Sequence, residues 1–331
     1  MNYSIKDIAK KCGVSTATVS RVINNKGKYS KETEAKVLKV INDLGYKVNS
    51  NAQTLRTKIS KTIGILVPDI NNHFFSDIVQ KIEKLLFDLE YSTIICNTDR
   101  NQVKENNYLN ILESKNVDGL IIISGSSNSF SFEGKQKYIP YICIDREPFE
   151  FSNTIFISSN HLKGAEDATR FLINKGVKHP LIVLPKKLSI SSESRLEGFK
   201  NVLKEYSISF SEETNTLVLS YNNDNSDILQ KFFNNNHKVD GIFAVNDNLA
   251  IEIIKFLKLF NIRVPDDIQI VGFDNIPASK IISPELTTVS QNTNQISEYA
   301  VNKIIDLING KAKTGTTIIV PTKIIERNST K

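Results

Sequence analysis

The sequence predicts a small all-α helix-turn-helix head, followed by an α/β core of two Rossmann-like lobes. The 331 residues exceed one ordinary domain. Residues 1–46 contain three short segments with helical spacing of their apolar residues, each beginning at a serine. From Thr62 onward, short β-branched runs alternate with amphipathic stretches, which is the pattern of βαβ units on a parallel sheet.

Charge is distributed unevenly between these two parts. Residues 1–61 contain thirteen Lys and Arg against four Asp and Glu, a net charge of +9. The other 270 residues contain 29 basic and 32 acidic side chains. A basic module on a slightly acidic body indicates a head that binds a polyanion, with nucleic acid as the first candidate. A solvated basic tail would carry the same charge, but it would not show the helical pattern of residues 1–46.

Composition argues against several other classes of protein. No apolar run approaches the ~18 residues that span a bilayer, and the first twenty residues lack the apolar core of a secretory signal. We therefore expect no membrane association and a cytoplasmic location. Four scattered histidines offer no metal-ligand spacing, so neither a metal nor a cofactor is expected. Three distant cysteines without a CxxC motif favour a reducing compartment; they are Cys12, Cys96 and Cys143.

The head has the order of elements of a helix-turn-helix. Helices are expected to start after Ser4, Ser15 and Ser30, with Gly13 in the turn between the first two. The second helix of this motif enters the major groove of DNA. We expect its outward residues to meet base edges, with methyl contacts to thymine and a bidentate guanine contact; these are Thr16, Ala17 and Arg21. Seven polar side chains are candidate phosphate donors: Ser4, Ser15, Ser20, Asn25, Tyr29, Ser30 and Thr33.

The core reads as a duplicated lobe. GILVP at 64–68 is echoed by LIVLP at 181–185, and VDGLIII at 117–123 by VDGIFAV at 239–245. Ligands of open α/β sheets bind beyond the carboxyl ends of the strands. The residues there include aromatics, amides, carboxylates and an arginine, a set that suits a polyhydroxyl ligand. For Asp69, Asp247 and Asn275, capping of the next helix is an equal alternative.

An enzyme on this core is the rival interpretation. The sequence lacks GxGxxG after a strand, GxxxxGK[ST], HExxH and GxSxG. His161, His179 and His237 have no partnered nucleophile in the sequence. An enzyme would also leave the basic head unexplained, so no catalytic activity is expected.

The segment IKDIAKKCGVSTATVSRVINNKGKYSKETEAKVLKVINDLGYKVNSNAQTLR resembles the DNA-binding headpiece and hinge of the LacI/GalR family of bacterial transcription regulators. The resemblance implies that residues 47–61 form a hinge helix and linker. It assigns Asn51, Ala52 and Leu55 to DNA contact, with the leucine wedged into the minor groove. Val48 departs from the proline that many members have there.

Residues 62–331 resemble the family's effector-binding core, which is itself similar to periplasmic sugar-binding proteins of type I. The matching segments include IGILVPDINNHFF, RLEGF, VDGIFAVND and VGFDNIPASKIISPELTTV. The resemblance implies one lobe at about 62–160 and 290–320, and another at about 161–289 and 321–331. With Ser124 from the strand-end argument, the expected effector contacts are His73, Phe74, Phe75, Ser124, Asp145, Arg146, Arg195, Tyr221, Asn246 and Asp274.

The expected function is therefore that of a sequence-specific repressor. It would act as a homodimer on a palindromic operator, and a small molecule, first of all a sugar, would control its affinity for DNA. It would associate with the nucleoid when bound to its operator. Two alternatives share the same motifs: a catabolite-control regulator that answers to a phosphoprotein, and a repressor that responds to a nucleobase.

Overall fold

The computed structural model describes residues 3–23, 27–45, 59–124, 139–220, 224–235 and 238–331. The chain forms two compact units, residues 1–60 and residues 61–331. Within the described ranges, no helix is long and apolar enough to cross a membrane.

The described residues of the head form three helices: α1 (Ile5–Cys12), α2 (Thr16–Ile23) and α3 (Lys31–Asp43). Each starts at a serine cap. The Ser4 hydroxyl accepts a hydrogen bond from Asp7 N, and the Asp7 carboxylate accepts one from Ser4 N at 2.8 Å, which forms a reciprocal capping box. Ser15 and Ser30 cap α2 and α3 by accepting from backbone amides at 3.1 Å. Gly13 takes the left-handed turn after α1, with φ of 65°.

The helices of the head pack around a small apolar core. Ala9 on α1 contributes only a methyl group, which allows the neighbouring helix to approach closely. Val19 of α2 is fully buried in this core. Burial of such a side chain stabilises the fold by about 1.5–3 kcal/mol. The buried set is Ile8, Ala9, Cys12, Val19, Val22 and Val37.

The first lobe contains a six-stranded sheet in the order β11-β5-β4-β3-β1-β2. All of its neighbouring strands are parallel. Its strands are β1 (Thr62–Val67), β2 (Ser92–Asn97), β3 (Gly119–Ile123), β4 (Tyr141–Ile144), β5 (Ile155–Ser159) and β11 (Thr316–Val320). Its helices are α4 (His73–Asp88), α5 (Gln102–Ser114) and α11 (Thr293–Ile308).

The second lobe repeats this topology in the order β12-β10-β9-β8-β6-β7, with only the β10–β12 pair antiparallel among the described strands. Its strands are β6 (Pro180–Pro185), β7 (Thr216–Leu219), β8 (Gly241–Ala244), β9 (Gln269–Asp274), β10 (Thr287–Gln291) and β12 (Thr322–Ile325). Its helices are α6 (His161–Asn174), α7 (Ile190–Glu205), α8 (Glu212–Asn215), α9 (Ser226–Asn235) and α10 (Asp247–Leu259).

The repeated sequence motifs occupy equivalent strands of the two sheets. GILV lies in β1, directly before Pro68, and LIVLP lies in β6. In its sheet, β1 lies between β2 and β3, and β6 lies in the same way between β7 and β8. The two VDG motifs lead into β3 and β8 in the same way. The chain crosses between the lobes after β5, after β10 and after β11, so the lobes share three connections. The predicted fold class is confirmed.

Candidate functional site

Helix α2 presents one face to the core of the head and the other to solvent. Val19 and Val22 are buried, whereas Thr16, Ala17 and Arg21 are exposed. The side chains expected at base edges are therefore available on one outward face, because residues spaced as these are share a side of a helix. The caps Ser4, Ser15 and Ser30 are exposed at helix N-termini, where free backbone amides favour a phosphate.

The other candidate donors to DNA phosphates are less exposed to solvent. Ser20, Tyr29 and Thr33 are half-buried, and Tyr29 packs against the apolar core of the head. Tyr29 thus has a packing role whatever its hydroxyl contacts. Four expected DNA contacts lie outside the described residues: Asn25, Asn51, Ala52 and Leu55.

The core contains a small polar pocket at the carboxyl ends of the strands, between the lobes. It encloses about 40 Å³, which is room for a few water molecules. Its lining consists of Asn72, Phe74, Phe75, Arg100, Ser124, Asp145, Ser189, Ser191, Ser192, Arg195, Asn246 and Asp274. Seven of the ten expected effector contacts are among these residues.

Backbone conformation marks three of the strand ends that reach this pocket. Ser124 after β3, Asp145 after β4 and Asp274 at the end of β9 have φ values of 47°, 51° and 114°. Residues other than glycine rarely adopt positive φ, and such conformations concentrate at ligand sites because the surrounding structure must hold them there. The strain therefore coincides with the residues that the strand-end argument selected.

A chain of polar contacts runs across the pocket from one lobe to the other. Asp145 Oδ1 lies 2.8 Å from His161 Nε2, and His161 Nδ1 lies 3.2 Å from a terminal nitrogen of Arg195. Arg195 is 3.6 Å from Asp274 Oδ1, and its guanidinium lies 3.7 Å from the centre of the Phe273 ring. Arg195 also donates to the carbonyl of Val245. The pocket thus holds carboxylates on both sides of a buried cation.

Burial and neighbouring charges set the ionisation of the two carboxyl groups. Burial raises the pKa of Asp145, but hydrogen bonds from His161 and Ser158 and the Arg195 cation lower it overall. Burial raises the pKa of Asp274 to about 6, although Arg195 and a hydrogen bond from Gln291 at 2.6 Å oppose the rise. Asp145 therefore has the lower pKa of the two carboxyl groups and stays ionised to lower pH.

Two further residues that line the pocket also cap the N-termini of helices. Asn246 caps α10 through a 3.0 Å hydrogen bond from Leu249 N, and Asn72 caps α4 by accepting from Phe74 N at 3.0 Å. Capping and pocket lining are thus combined in single residues.

Two of the carboxylates that the sequence offered as possible helix caps make other local contacts. Asp69 accepts a hydrogen bond from Asn71 N, and Asp247 accepts hydrogen bonds from Thr288 Oγ1 and Ile276 N.

Arg146 does not line the pocket, contrary to the expectation from the sequence. Its guanidinium turns into the first lobe and pairs with Glu105 of α5 at 2.7 Å, where the two side chains are 1% and 5% exposed. A buried guanidinium needs such a carboxylate, because desolvation of an isolated charge is costly. Arg146 thus supports the segment that carries Asp145.

His73 lies apart from the small pocket. It is exposed and lines a neighbouring cavity of about 570 Å³, which shares Phe74 and Asp274 with the pocket. Tyr221, expected near the ligand, lies outside the described residues.

Several residues that line the pocket or contact its lining escaped the sequence argument. Arg100 follows β2 and His161 follows β5, so the strand-end rule would have found both had it been applied to every strand. The serines at 189, 191 and 192 begin α7, and only the paired topology of the lobes brings them to the cleft. Gln291 reaches the site through Asp274, a contact that spacing does not reveal.

Ser158 and His161 do not form a nucleophile and base pair. Ser158 Oγ donates to Asp145 at 2.7 Å, and both nitrogens of His161 already face Asp145 and Arg195. The imidazole is therefore not positioned to activate that hydroxyl. Within the described part of the chain, no group of three metal-ligating side chains converges.

Comparison with known proteins agrees with both units. Residues 4–49 match the bacterial regulatory proteins of the lacI family, and residues 169–330 match the periplasmic binding protein-like domain. The chain is 35% identical over 331 residues to the ribose operon repressor of Halalkalibacterium halodurans. The alignment covers 99% of this chain and 97% of the relative. It is 32% identical over 330 residues to the transcriptional repressor PurR of Histophilus somni (strain 2336), with 99% of each covered.

A solved structure shows the same core. A LacI family transcriptional regulator from Enterococcus faecium with bound ribose superimposes with a TM-score of 0.73 at 28% identity, over 81% of this chain and 98% of that one. The resemblance inferred from the sequence is confirmed, and both full-length relatives are transcriptional repressors. The chain belongs to the lacI family of bacterial regulatory proteins.

Proposed function

We propose that this chain is a sequence-specific transcriptional repressor whose affinity for its operator is controlled by a sugar bound between the lobes of the core. Ribose is the first candidate. The observation that carries the proposal is the interlobe pocket, whose lining combines Asp145, Asp274 and Arg195 with the aromatic side chain of Phe74. Carboxylates accept hydrogen bonds from hydroxyl groups, a guanidinium donates to them, and an aromatic face covers the apolar side of a sugar ring.

The choice of ribose rests on two relatives. One is a ribose operon repressor that matches nearly the whole chain, and the other is a family member with ribose bound. Ribose has several hydroxyl groups and no charge, which suits a pocket whose ionic groups already balance one another.

The size of the pocket bears on how an effector could control the protein. A ligand site for a small molecule typically has a volume of ~300–1,000 Å³, whereas this pocket encloses about 40 Å³. We propose that a sugar is accommodated by an arrangement of the lobes with a wider pocket, and a ligand that binds one arrangement better shifts the population toward it. We propose that segment 47–61, with Ala52 and Leu55, transmits this shift to the head.

The protein would act as a homodimer in the cytoplasm and lie on the nucleoid when bound to its operator. Two heads related by a two-fold axis would read the two half-sites of a palindromic sequence. Exposed Arg21, Thr16 and Ala17 would meet the base edges, and the basic charge of the first 61 residues would supply most of the salt-dependent affinity.

DNA recognition is tested by selection of binding sequences from a random duplex library with the full-length chain. We expect enrichment of a palindrome with half-sites about one helical turn apart or a multiple of it. A chain without residues 1–60 should enrich nothing. Retention of duplexes that share no preferred sequence would contradict specific recognition.

Ligand recognition is tested by isothermal titration of the full-length chain with D-ribose, other pentoses and hexoses, sugar phosphates and nucleobases. We expect saturable binding of a sugar, with the Asp274→Ala variant binding at least about tenfold more weakly. Exclusive binding of a nucleobase would replace the sugar assignment with that alternative, and binding of none of these small molecules would favour the regulator that answers to a phosphoprotein.

A further inference from the structure

His161 lies where the chain enters the second lobe. Strand β5 ends at Ser159, Asn160 caps α6 by accepting from Lys163 N, and His161 is the first residue of that helix. Its side chain is only 5% exposed. The ring contacts Asp145, which belongs to the first lobe, and Arg195, which belongs to the second.

The two partners dictate which ring nitrogen carries the proton. Arg195 can only donate hydrogen bonds, so His161 Nδ1 must accept from it at 3.2 Å. The Asp145 carboxylate accepts, so Nε2 must donate to it at 2.8 Å. Both contacts are made only by the neutral imidazole with its proton on Nε2, because a second proton would point at the guanidinium.

The surroundings of the ring favour the same neutral form. The charged groups that face His161 are Asp145 at the end of β4 and Arg195 on α7, with Asp274 of β9 behind Arg195 at 3.6 Å. The Phe273 ring covers another side, with ring centres 5.9 Å apart. Burial lowers the pKa of His161, and it outweighs the opposing attraction of Asp145, while Arg195 lowers the pKa further.

We propose that His161 is a positioning residue of the effector pocket, which joins Asp145 of one lobe to Arg195 of the other and presents them to the ligand as an acceptor and donor pair. The inference rests on the proposed function, because it assumes that this pocket takes the effector. The ligand that these two residues would bind carries two adjacent hydroxyl groups. One hydroxyl donates a hydrogen bond to the Asp145 carboxylate, and the other accepts one from the Arg195 guanidinium.

The bonds of Asp145 support this role. Ser158 Oγ, Ser159 N and His161 Nε2 all bond to Oδ1, at 2.7, 3.2 and 2.8 Å. Three donors on one oxygen fix the plane of the carboxylate and leave Oδ2 as the atom for the pocket that Asp145 lines. A histidine that only filled space would need neither of its polar contacts.

The tautomer is tested on the unliganded, full-length protein by nitrogen NMR of histidine-labelled chain. The sequence has only four histidines, and the His161→Gln variant identifies the signals of His161. We expect Nε2–H at neutral pH and protonation only below the ordinary histidine value of about 6.5. A proton on Nδ1, or an ordinary titration, would overturn the proposal whether or not ribose is the effector.

The positioning role is tested by calorimetry with D-ribose on the wild type, His161→Leu, His161→Gln and the exposed control His179→Gln. Leucine cannot bond to either partner, so we expect binding about tenfold weaker or worse. Glutamine can donate to Asp145 and accept from Arg195, so it should retain most of the affinity, and the control should match the wild type.

The pH profile separates positioning from packing. Burial raises the pKa of Asp274 to about 6, and both the wild type and His161→Gln keep this group, so the two profiles are compared with each other rather than read singly. We expect the two profiles to diverge only below about pH 6.5, the ordinary histidine value, where wild-type affinity should fall more steeply than that of His161→Gln because protonation of the ring breaks its contact with Arg195. Equal affinity of the leucine variant, or parallel profiles, would overturn the role while ribose binding by the wild type still upheld the proposed function.

Discussion

Glu105 and Arg146 form a 2.7 Å ion pair inside the first lobe, where the side chains are 5% and 1% exposed. The pair ties α5 to the segment directly after β4. That segment also carries Asp145, whose carboxylate reaches the pocket between the lobes. The buried pair thus helps to hold the segment of Asp145 in place, although neither partner lines the pocket.

Removal of one partner of this pair should destabilise the core. Glu105→Ala deprives a buried guanidinium of its carboxylate, which costs about 3–5 kcal/mol in comparable pairs. Urea unfolding of the full chain measures the loss, with Asn107→Ala as a control at an exposed position of the same helix. Equal unfolding midpoints for the two variants would show that the pair contributes little.

Asp247 should make the core less stable as pH rises. Burial raises its pKa to about 8, and Asp274 adds to the rise, although hydrogen bonds from Thr288 and Ile276 N oppose it. The folded state therefore holds this proton more tightly than the unfolded chain does. The stability that the proton contributes is complete below about pH 4 and is lost as pH rises toward 8.

The Asp247→Asn variant tests this linkage, because asparagine stays neutral throughout. Its thermal unfolding midpoint should decline less than that of the wild type between pH 5 and pH 8. Asp274 titrates in the same direction in both proteins, and the exposed control Asp227→Asn should follow the wild type. A variant profile parallel to the wild-type profile would assign the pH dependence to other groups.

Arg21 is expected to read a base. It is exposed on the outward face of α2, so Arg21→Ala should leave the fold of the head intact. Loss of a bidentate guanine contact should weaken binding to the selected operator by about 1–3 kcal/mol and relax specificity at one position. Fluorescence anisotropy at fixed salt provides the measurement. Lys39→Ala, exposed on α3, is the matched control, and an equal loss for both variants would indicate a purely electrostatic role.

Leu55 stays a prediction of the sequence, since it lies outside the described residues. As a wedge in the minor groove, it should matter for DNA and not for the effector. Leu55→Ala is expected to weaken operator binding at unchanged ribose affinity, as measured by anisotropy and calorimetry on the same preparation. Unaltered operator affinity would remove the hinge assignment.

Asp274 should couple the pocket to the DNA response. It lines the pocket, lies near Arg195 and accepts a hydrogen bond from Gln291, which ends β10 beside a crossing between the lobes. We expect Asp274→Ala to bind the operator like the wild type but to lose its response to effector. A normal response in gel-shift titrations would exclude this residue from the coupling.

Much of the fold was predictable because it depends on local patterns. The serine caps and apolar spacing of the head, and the alternation of strands and helices in the core, are set by residues close together in sequence. The strand-end rule found Asp145, Asn246 and Asp274 for the same reason. The orientation of Arg146 was not predictable, because its partner Glu105 lies 41 residues away on another element. The serines of α7 depend likewise on how the lobes face each other, and so does the contact of His161 with Arg195, although the position of His161 after β5 could have been selected by the strand-end rule.

Operator affinity with and without sugar tests the central claim most directly. Fluorescence anisotropy of the full-length chain on its selected operator, at fixed salt, should show a dissociation constant about 5–150-fold higher at saturating D-ribose, the usual range of coupling between two sites. The affinity for ribose should fall by the same factor when operator is present. An operator affinity unchanged by ribose and by every other sugar that binds the core would contradict the account.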